Sequence, residues 1–458
     1  FTSIRGPMGE GYRIIAASRG LRSEEKQAIT RLSPSHEALC WQPAGGTDAS
    51  SYAAAFYPLP TGRLCVAYSC YAGAEHTARG GHRVYTHNVI FEEHGFPSCG
   101  FNAFYVIRAM VVEGLNVPQL TPNSVLPEVR LPIHTNLASS AAALSASIDS
   151  LHRRYLLQRL FDDASLIVPI KTGWLESAEA LLMGIPGPMR VKISFGAGLR
   201  FSLGRCHRLH LFCDEKGAAR SRIAGQPVEY LDPAVMPPIA PNSAWLAFVD
   251  RHWSSADFAI LARRTSRPFT DLSAAARERI GTLYNSIDAA PLTAGRDLLR
   301  LAADHIRARL SGVEDEIRGE FVGAAQRTLY QRLTDIRRHD AQPLWAHLIA
   351  FWRQTDAAFA QPLIEATIRS LMLENALVAA EAALDAASDF PPGLDVDRHG
   401  RLLDDVLNPL ISHVSPDADA ERLADLCTRW RVLRPNCAIV RKLMDRSSLV
   451  QPAPLAPR

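Results

Sequence analysis

The chain of 458 residues has no CxxC pair, no phosphate loop of the form GxxxxGKS or GxxxxGKT, and no GxSxG elbow. The first absence removes paired zinc ligands. The second removes a nucleotide-binding loop of the P-loop kind, and the third a hydrolase nucleophile on a strand-to-helix turn. No apolar run reaches the ~18–20 residues that a membrane-spanning helix needs. The longest candidate, ALVAAEAALDAA, is interrupted by carboxylates. Net charge is also scarce, at +3, which leaves no broad basic surface and no strong nucleic-acid signal. The chain opens on Phe1 without a methionine, so the native terminus is expected to lie upstream, and no charged-then-apolar signal peptide is visible.

What is present is the composition of an ordinary globular protein, with 47% hydrophobic and 21% charged residues. The length exceeds what one core usually covers, so two or three domains are expected. Eight cysteines lie at 40, 65, 70, 99, 206, 213, 427 and 437, mostly in apolar or strand-like contexts. That pattern fits reduced, buried thiols in the cytoplasm rather than a disulfide framework, and neither a metal nor a cofactor is expected.

The two halves have different textures. Up to about residue 235, short alternating runs (GYRIIAAS, RLCVAYSCY, RVYTHNVIF, MRVKISF, RLHLFC) are separated by Gly, Pro and Asn. In MRVKISF the apolar Val191, Ile193 and Phe195 alternate with Arg190, Lys192 and Ser194, the period of a half-buried strand. Helical patches fall at 23–32, 102–113, 138–161 and 175–183. The region 1–235 is therefore expected to be an α+β domain. Pro118, Pro122, Pro127 and Pro132 forbid a continuous helix or central strand over 117–136, which reads as a surface connection.

DPAVMPPIAP, residues 232–241, is the expected domain boundary. An all-α domain is expected from 241 to 446, with a disordered tail over 447–458. Val313, Ile317, Phe321, Ala324, Leu329, Leu333 and Ile336 recur at helical spacing and give one apolar stripe. Caps are expected at Asp271 or Ser273, at Thr293, and at Asp417 or Asp419.

The stretch RGGHRVYTHNVIF carries the candidate chemistry. Arg79, Gly80, Gly81, His82 and Arg83 form a basic, glycine-rich loop between two strands. Such a loop presents backbone N–H groups and guanidiniums together and suits an anion. The alternative is a hairpin loop in which the glycines supply positive φ and the arginines are solvated. Tyr85 and His87 share one face of the following strand; they are either an acid–base pair or a hydrogen-bonded polar spot on a sheet. His207 and His210, with Cys206 and Cys213, have the look of metal ligands, but residues three apart on a strand point to opposite faces, so convergence on one ion is not expected. No catalytic residue stands out, and an arginine finger among the helical arginines is not identifiable from sequence.

Three segments in order carry a family resemblance: GYRIIAASRGL, FYPLPTGRLCVAYSCYAGAEHTARGGHRVYTHNVIF and ISFGAGLRFSLGRCHRLHLF. Together they resemble the N-terminal domain, second type, of the bacterial GTPase-associated proteins. The positions that carry it are Gly11, Tyr12, Pro60, Gly62, Arg79, Gly80, Gly81, Arg83, Tyr85, Thr86 and His87. The resemblance implies a non-catalytic adaptor or sensor in a multi-gene bacterial defence or signalling system. The implied partners are a GTPase and co-encoded proteins, and no catalytic residue is carried over. Two alternatives stay open: an enzyme or binding module for a phosphorylated or nucleotide-like ligand, and a GTPase activator with an arginine finger.

Overall fold

The structure is a computed structural model. It describes residues 1–6, 9–36, 38–40, 52–75, 81–119, 121–122, 124–133, 148–170, 173–213, 227–232, 235, 237–238, 242–308, 310–334, 344, 347–348, 350–351, 357–388, 420–433 and 438–448. Two compact units divide the chain, Phe1–Thr282 and Leu283–Arg458.

The first unit is built on one sheet of nine strands: β1 (Thr2–Gly6), β2 (Gly9–Arg13), β3 (Tyr52–Pro58), β4 (Leu64–Ala74), β5 (His82–Phe91), β6 (Leu166–Pro169), β7 (Phe195–Ala197), β8 (Leu209–Phe212) and β9 (Glu229–Tyr230). Their order across the sheet is β2-β1-β5-β4-β3-β7-β8-β6-β9. From β2 to β7 every pairing is antiparallel, and from β7 to β9 every pairing is parallel. The expected antiparallel pairing of RLCVAYSCY with RVYTHNVIF is present, running from Leu64↔Phe91 to Tyr71↔Val84 before a register shift. Both Cys65 and Val66 are fully buried, so β4 is covered on both faces. That explains why it reads as a continuous apolar run rather than an alternating one.

Among the described residues, seven α-helices lie wholly in this unit: α1 (Ser23–Leu32), α2 (Ala103–Val112), α3 (Ser150–Phe161), α4 (Trp174–Met183), α5 (Gly187–Arg190), α6 (Ala244–Ser254) and α7 (Phe258–Thr265). Side chains fix several starts: Asn102 Oδ1 accepts from Phe104 N–H, and Asp149 Oδ1 from Leu151 and His152 N–H. The first two helical patches read from sequence correspond to α1 and α2, and the last to α4. Of the third, α3 covers the end, and 138–147 lie outside the described residues.

MRVKISF departs from the strand expected of it. Met189 and Arg190 close the short helix α5, and only Phe195 enters a strand. Pro186 and Pro188 favour a helical first turn there. Arg190 is then drawn inside. It is 3% exposed and donates to Ile185 O at 2.8 Å, with further contacts to Gly100 O and Phe101 O.

Beyond Pro241 no described residue lies in a strand. α6 packs against α3, and α7 against α4, so these two helices belong to the first unit. The end of strand content and the division into units thus fall at different points of the chain. α8 (Ala274–Ala289) carries that division; Ser273 Oγ accepts from Ala276 N–H at its start.

The second unit contains α9 (Gly295–Arg307), α10 (Gly312–Thr334), α11 (Ala357–Glu374), α12 (Ala376–Ser388), α13 (Ala420–Leu433) and α14 (Ala438–Ser448). In α10 the buried stripe is Ile317, Phe321, Ala325, Leu329 and Leu333. The expected Ala324 yields to Ala325, the position that keeps a four-residue step from Phe321. Thr293 does not cap α9: its hydroxyl donates back to Ala289 O, and Ala294 takes the cap position. Asp417, Asp419 and residues 449–458 of the expected tail lie outside the described residues, while Ser447 and Ser448 end α14.

Candidate functional site

The hairpin of β4 and β5 places the sequence candidates. Gly73 and Gly81 sit at φ +86° and +90°, conformations that only glycine adopts freely, and Glu75 N–H donates to Gly81 O at 3.0 Å. The loop is therefore pinched at its foot. Arg79 and Gly80, with His76, lie outside the described residues. Arg83 turns back along its own hairpin, its Nε donating to Ala72 O at 3.0 Å. The His82 ring lies 5.1 Å from that of Tyr71.

A carboxylate stands at the same foot. Glu75 accepts from Ser3 Oγ and from Tyr12 OH, both at 2.8 Å, while Tyr12 OH accepts from Val84 N–H at 3.0 Å. Burial, followed by the neighbouring Glu75, pushes the Tyr12 hydroxyl well above its ordinary range. These bonds tie β1 and β2 to the hairpin, so Glu75 anchors the loop.

Tyr85 and His87 do share a setting. Both line a cavity of about 640 Å³, bounded by consecutive β5 residues from Tyr85 to Phe91, by Ile14–Ser18, and by the proline-bearing segment around Leu126–Leu131. Tyr85 is buried and its hydroxyl meets the Gln119 backbone; burial raises its pKa. Burial lowers His87 to about 4, so its imidazole is neutral near pH 7. On the other face of β4 and β5, Tyr57 OH donates to Asn88 Oδ1 at 3.3 Å and Ser69 Oγ meets Thr86 Oγ1 at 2.9 Å. The wall is mixed: apolar side chains stand beside the neutral Tyr85 and His87 and the charged Arg63 and Glu128.

His207 and His210 correct the expectation of divergence. His207 precedes β8 rather than lying within it, so the strand alternation does not apply between them. Both are buried, their rings 6.2 Å apart and nearly parallel. They press on the face of β7 where Gly196 has no side chain. His210 Nε2 donates to Leu199 O at 2.8 Å. Burial lowers His207 to about 3 and His210 to about 4. Among the described residues no three His, Cys, Asp or Glu side chains gather as a metal set.

Sequence reading missed the ionic centre at Glu25. This carboxylate is fully buried, accepts from Arg63 Nε at 2.7 Å and Thr61 Oγ1 at 2.6 Å, and also takes Arg22 N–H at 2.8 Å. These bonds outweigh burial and hold its pKa down at about 2. Glu25 occupies an ordinary solvent-like place in SEEKQAITRL, and its partner lies 38 residues on, so no local signal marks it.

The sheet and its covering helices define an α+β domain whose polar pair lines a cavity rather than a cluster of reactive groups. Residues 1–131 match the family described as GTPase-associated protein 1, N-terminal domain type 2, and a helical region follows. Every cavity residue except Ile133 lies inside that match. The segment Ile193–Phe212, the third carrier of the resemblance, lies outside it. Comparison with curated proteins and with solved structures finds no match.

Proposed function

We propose that this chain is a non-catalytic adaptor or sensor that works with a GTPase and with proteins encoded beside it in a bacterial defence or signalling system. In this reading residues 1–235 recognise, residues 241–446 form a helical scaffold, and the complex is cytoplasmic. The observation that carries it is the match of residues 1–131 to a domain named for association with a GTPase. The cavity chemistry agrees: a histidine held neutral and a tyrosine held protonated offer fixed donors and acceptors near pH 7. The test is affinity purification of the tagged full chain beside a co-encoded GTPase. Stable co-elution supports the adaptor. Absence of association, with turnover of another substrate by the isolated chain, overturns it.

The basic loop supports a second reading, an anion site at Arg79, Gly80, Gly81, His82 and Arg83. Its favouring observation is the pinched foot, where Gly81 and the Arg83 guanidinium are fixed. Titration calorimetry with inorganic phosphate and with GTP decides it. Binding lost in the Arg79→Ala/Arg83→Ala double variant, with unchanged melting, supports the site; no heat with the wild-type chain removes it.

A further inference from the structure

The cavity beside Tyr85 and His87 runs along an unfinished sheet edge. β1 meets β5 at Thr2↔Tyr85, and Phe1 and Thr86 exchange both bonds: Thr86 N–H donates to Phe1 O and the Phe1 amine to Thr86 O, each at 2.8 Å. In an antiparallel ladder successive residues turn their N–H and C=O to opposite sides. Thr86 therefore sets the phase. Asn88 and Ile90 turn theirs away from β4, onto the line that β1 occupies up to Phe1, whereas His87, Val89 and Phe91 face the ladder with Tyr68, Val66 and Leu64. Among the described residues no backbone group meets Asn88 or Ile90 on the open side. Every residue from Tyr85 to Phe91 lines the cavity although alternate side chains point to opposite faces, so what the cavity meets is the strand's edge. Across it, Ala17 N–H donates to Ser124 O at 3.4 Å and Leu126 N–H to Ala17 O at 3.1 Å, which joins the far wall into one piece. Both faces flanking the open line are apolar. On one, Ile90 and Leu21 pack against the cluster that holds Ile29. On the other lie Val106 of α2 and Phe91, whose ring is 5.8 Å from that of Phe96. Backbone donors and acceptors in such a cleft call for a backbone partner.

We propose that this cleft receives an extended, apolar peptide segment of a partner protein, added to the free edge of β5 as one more strand on the line of β1. The proposal deepens the reading of residues 1–235 as the recognising part of an adaptor, and rests on it for the partner's being a protein. The Asn88 and Ile90 N–H groups donate to carbonyls of the segment, and their C=O groups accept from its amides. Asn88 to Phe91 span about 10 Å at a strand's rise of ~3.3 Å per residue, which sets the paired segment at about four residues. Its side chains alternate between Leu21 and Ile90 on one face and Val106 and Phe91 on the other, so both sets are apolar, the pattern of a strand buried on two faces. Arg63 and Glu128, of opposite sign, give the cleft no preference for a charged segment. A second copy of this chain would bring a folded sheet edge with its neighbouring strands, which the far wall bars; a lone extended segment meets no such obstacle.

The experiment measures residue-resolved amide hydrogen exchange on the full chain, alone and with a synthetic peptide of about seven residues selected on it from a random display library. In the chain alone, the Asn88 and Ile90 amides are expected to exchange fast and those of Val89 and Phe91 slowly. Protection of Asn88 and Ile90 without peptide, by any segment of the chain or by self-association that dilution reverses, overturns the proposal, because the edge is then already covered. With peptide, both amides are expected to slow at least about tenfold while Val89 is unchanged. Methylating alternate amide nitrogens of the peptide is expected to abolish binding in one phase and spare it in the other, since only one phase faces β5. Ile90→Pro removes an edge N–H without touching the ladder to β4 and is expected to weaken the peptide at least about tenfold. Where that variant does not fold, the methylated peptides on the wild-type chain decide the matter. Failure to select a peptide, a peptide that leaves Asn88 and Ile90 unprotected, or equal effects of methylation in both phases overturns the proposal. A chain that co-elutes with its GTPase yet takes no strand loses this proposal and keeps the adaptor reading; strand binding without GTPase association does the reverse.

Discussion

Arg63 lies against a carboxylate that has no access to water, and the pair has to be read from both ends. Glu25 is fully buried, whereas the Arg63 side chain is 16% exposed. Removing the cation leaves a buried carboxylate with only Thr61 and the Arg22 N–H. Breaking one side of a buried pair costs about 3 kcal/mol. Arg63→Met is therefore expected to lower the urea midpoint markedly at pH 7, and a value near wild type would contradict the ionic-centre reading. The pH dependence follows with a definite sign. Glu25, held near 2 against an ordinary 4.5, contributes stability above pH 4.5 that is lost as pH falls toward 2. His207 and His210 act in the same direction over a higher window. Their folded values of about 3 and about 4 lie below the ordinary 6.5, so the unfolded chain takes up protons first. Stability is expected to fall as pH drops below 6.5, with a shallower slope between pH 6.5 and 4 in His207→Leu. Equal slopes in wild type and variant, measured by urea unfolding at several pH values, would show that His207 is not held neutral.

At the scale of elements, the middle of the sheet depends on a glycine. Gly198 ends β7 at φ +77°, and a Cβ there would run into Trp174 Nε1 and the Tyr52 backbone oxygen. Strain and overpacking together are expected to cost Gly198→Ala about 3 kcal/mol. Chemical denaturation checks this, and a cost under about 1 kcal/mol would mean the contact relaxes freely. Elements with a clean period were legible in sequence: α1, α2 and α4 through apolar spacing, and β4 and β5 through strand-forming residues around a glycine-rich turn. MRVKISF misled because Arg190, counted as the polar member of an alternation, is buried against carbonyls 89 and 90 residues away in sequence. The same limit hid the histidine pair, whose convergence depends on where β8 begins. Tyr85 and His87 were placed together from alternation alone, but the cavity wall they join comes from segments 14–18 and 126–131, which no local pattern links to them.

At the scale of the whole molecule, the change from mixed structure to helices was legible at the proline-rich linker. The helices Ala244–Ser254 and Phe258–Thr265 were assigned in sequence to the helical part. They pack on α3 and α4, because apolar spacing shows that a face is buried and not against what. The aromatic stretch 345–359 shows the same ambiguity. Trp345 and Trp352 lie outside the described residues, while Phe351 and Phe359, rings 5.0 Å apart, are buried in the second unit's core. The central claim, an adaptor without turnover that binds a GTPase, is tested most directly by GTP hydrolysis by a co-encoded GTPase with and without the full chain, on the co-purified complex. A stable complex with an unchanged hydrolysis rate is the predicted result. A large acceleration abolished by replacing a single arginine would contradict it and make the chain an activator.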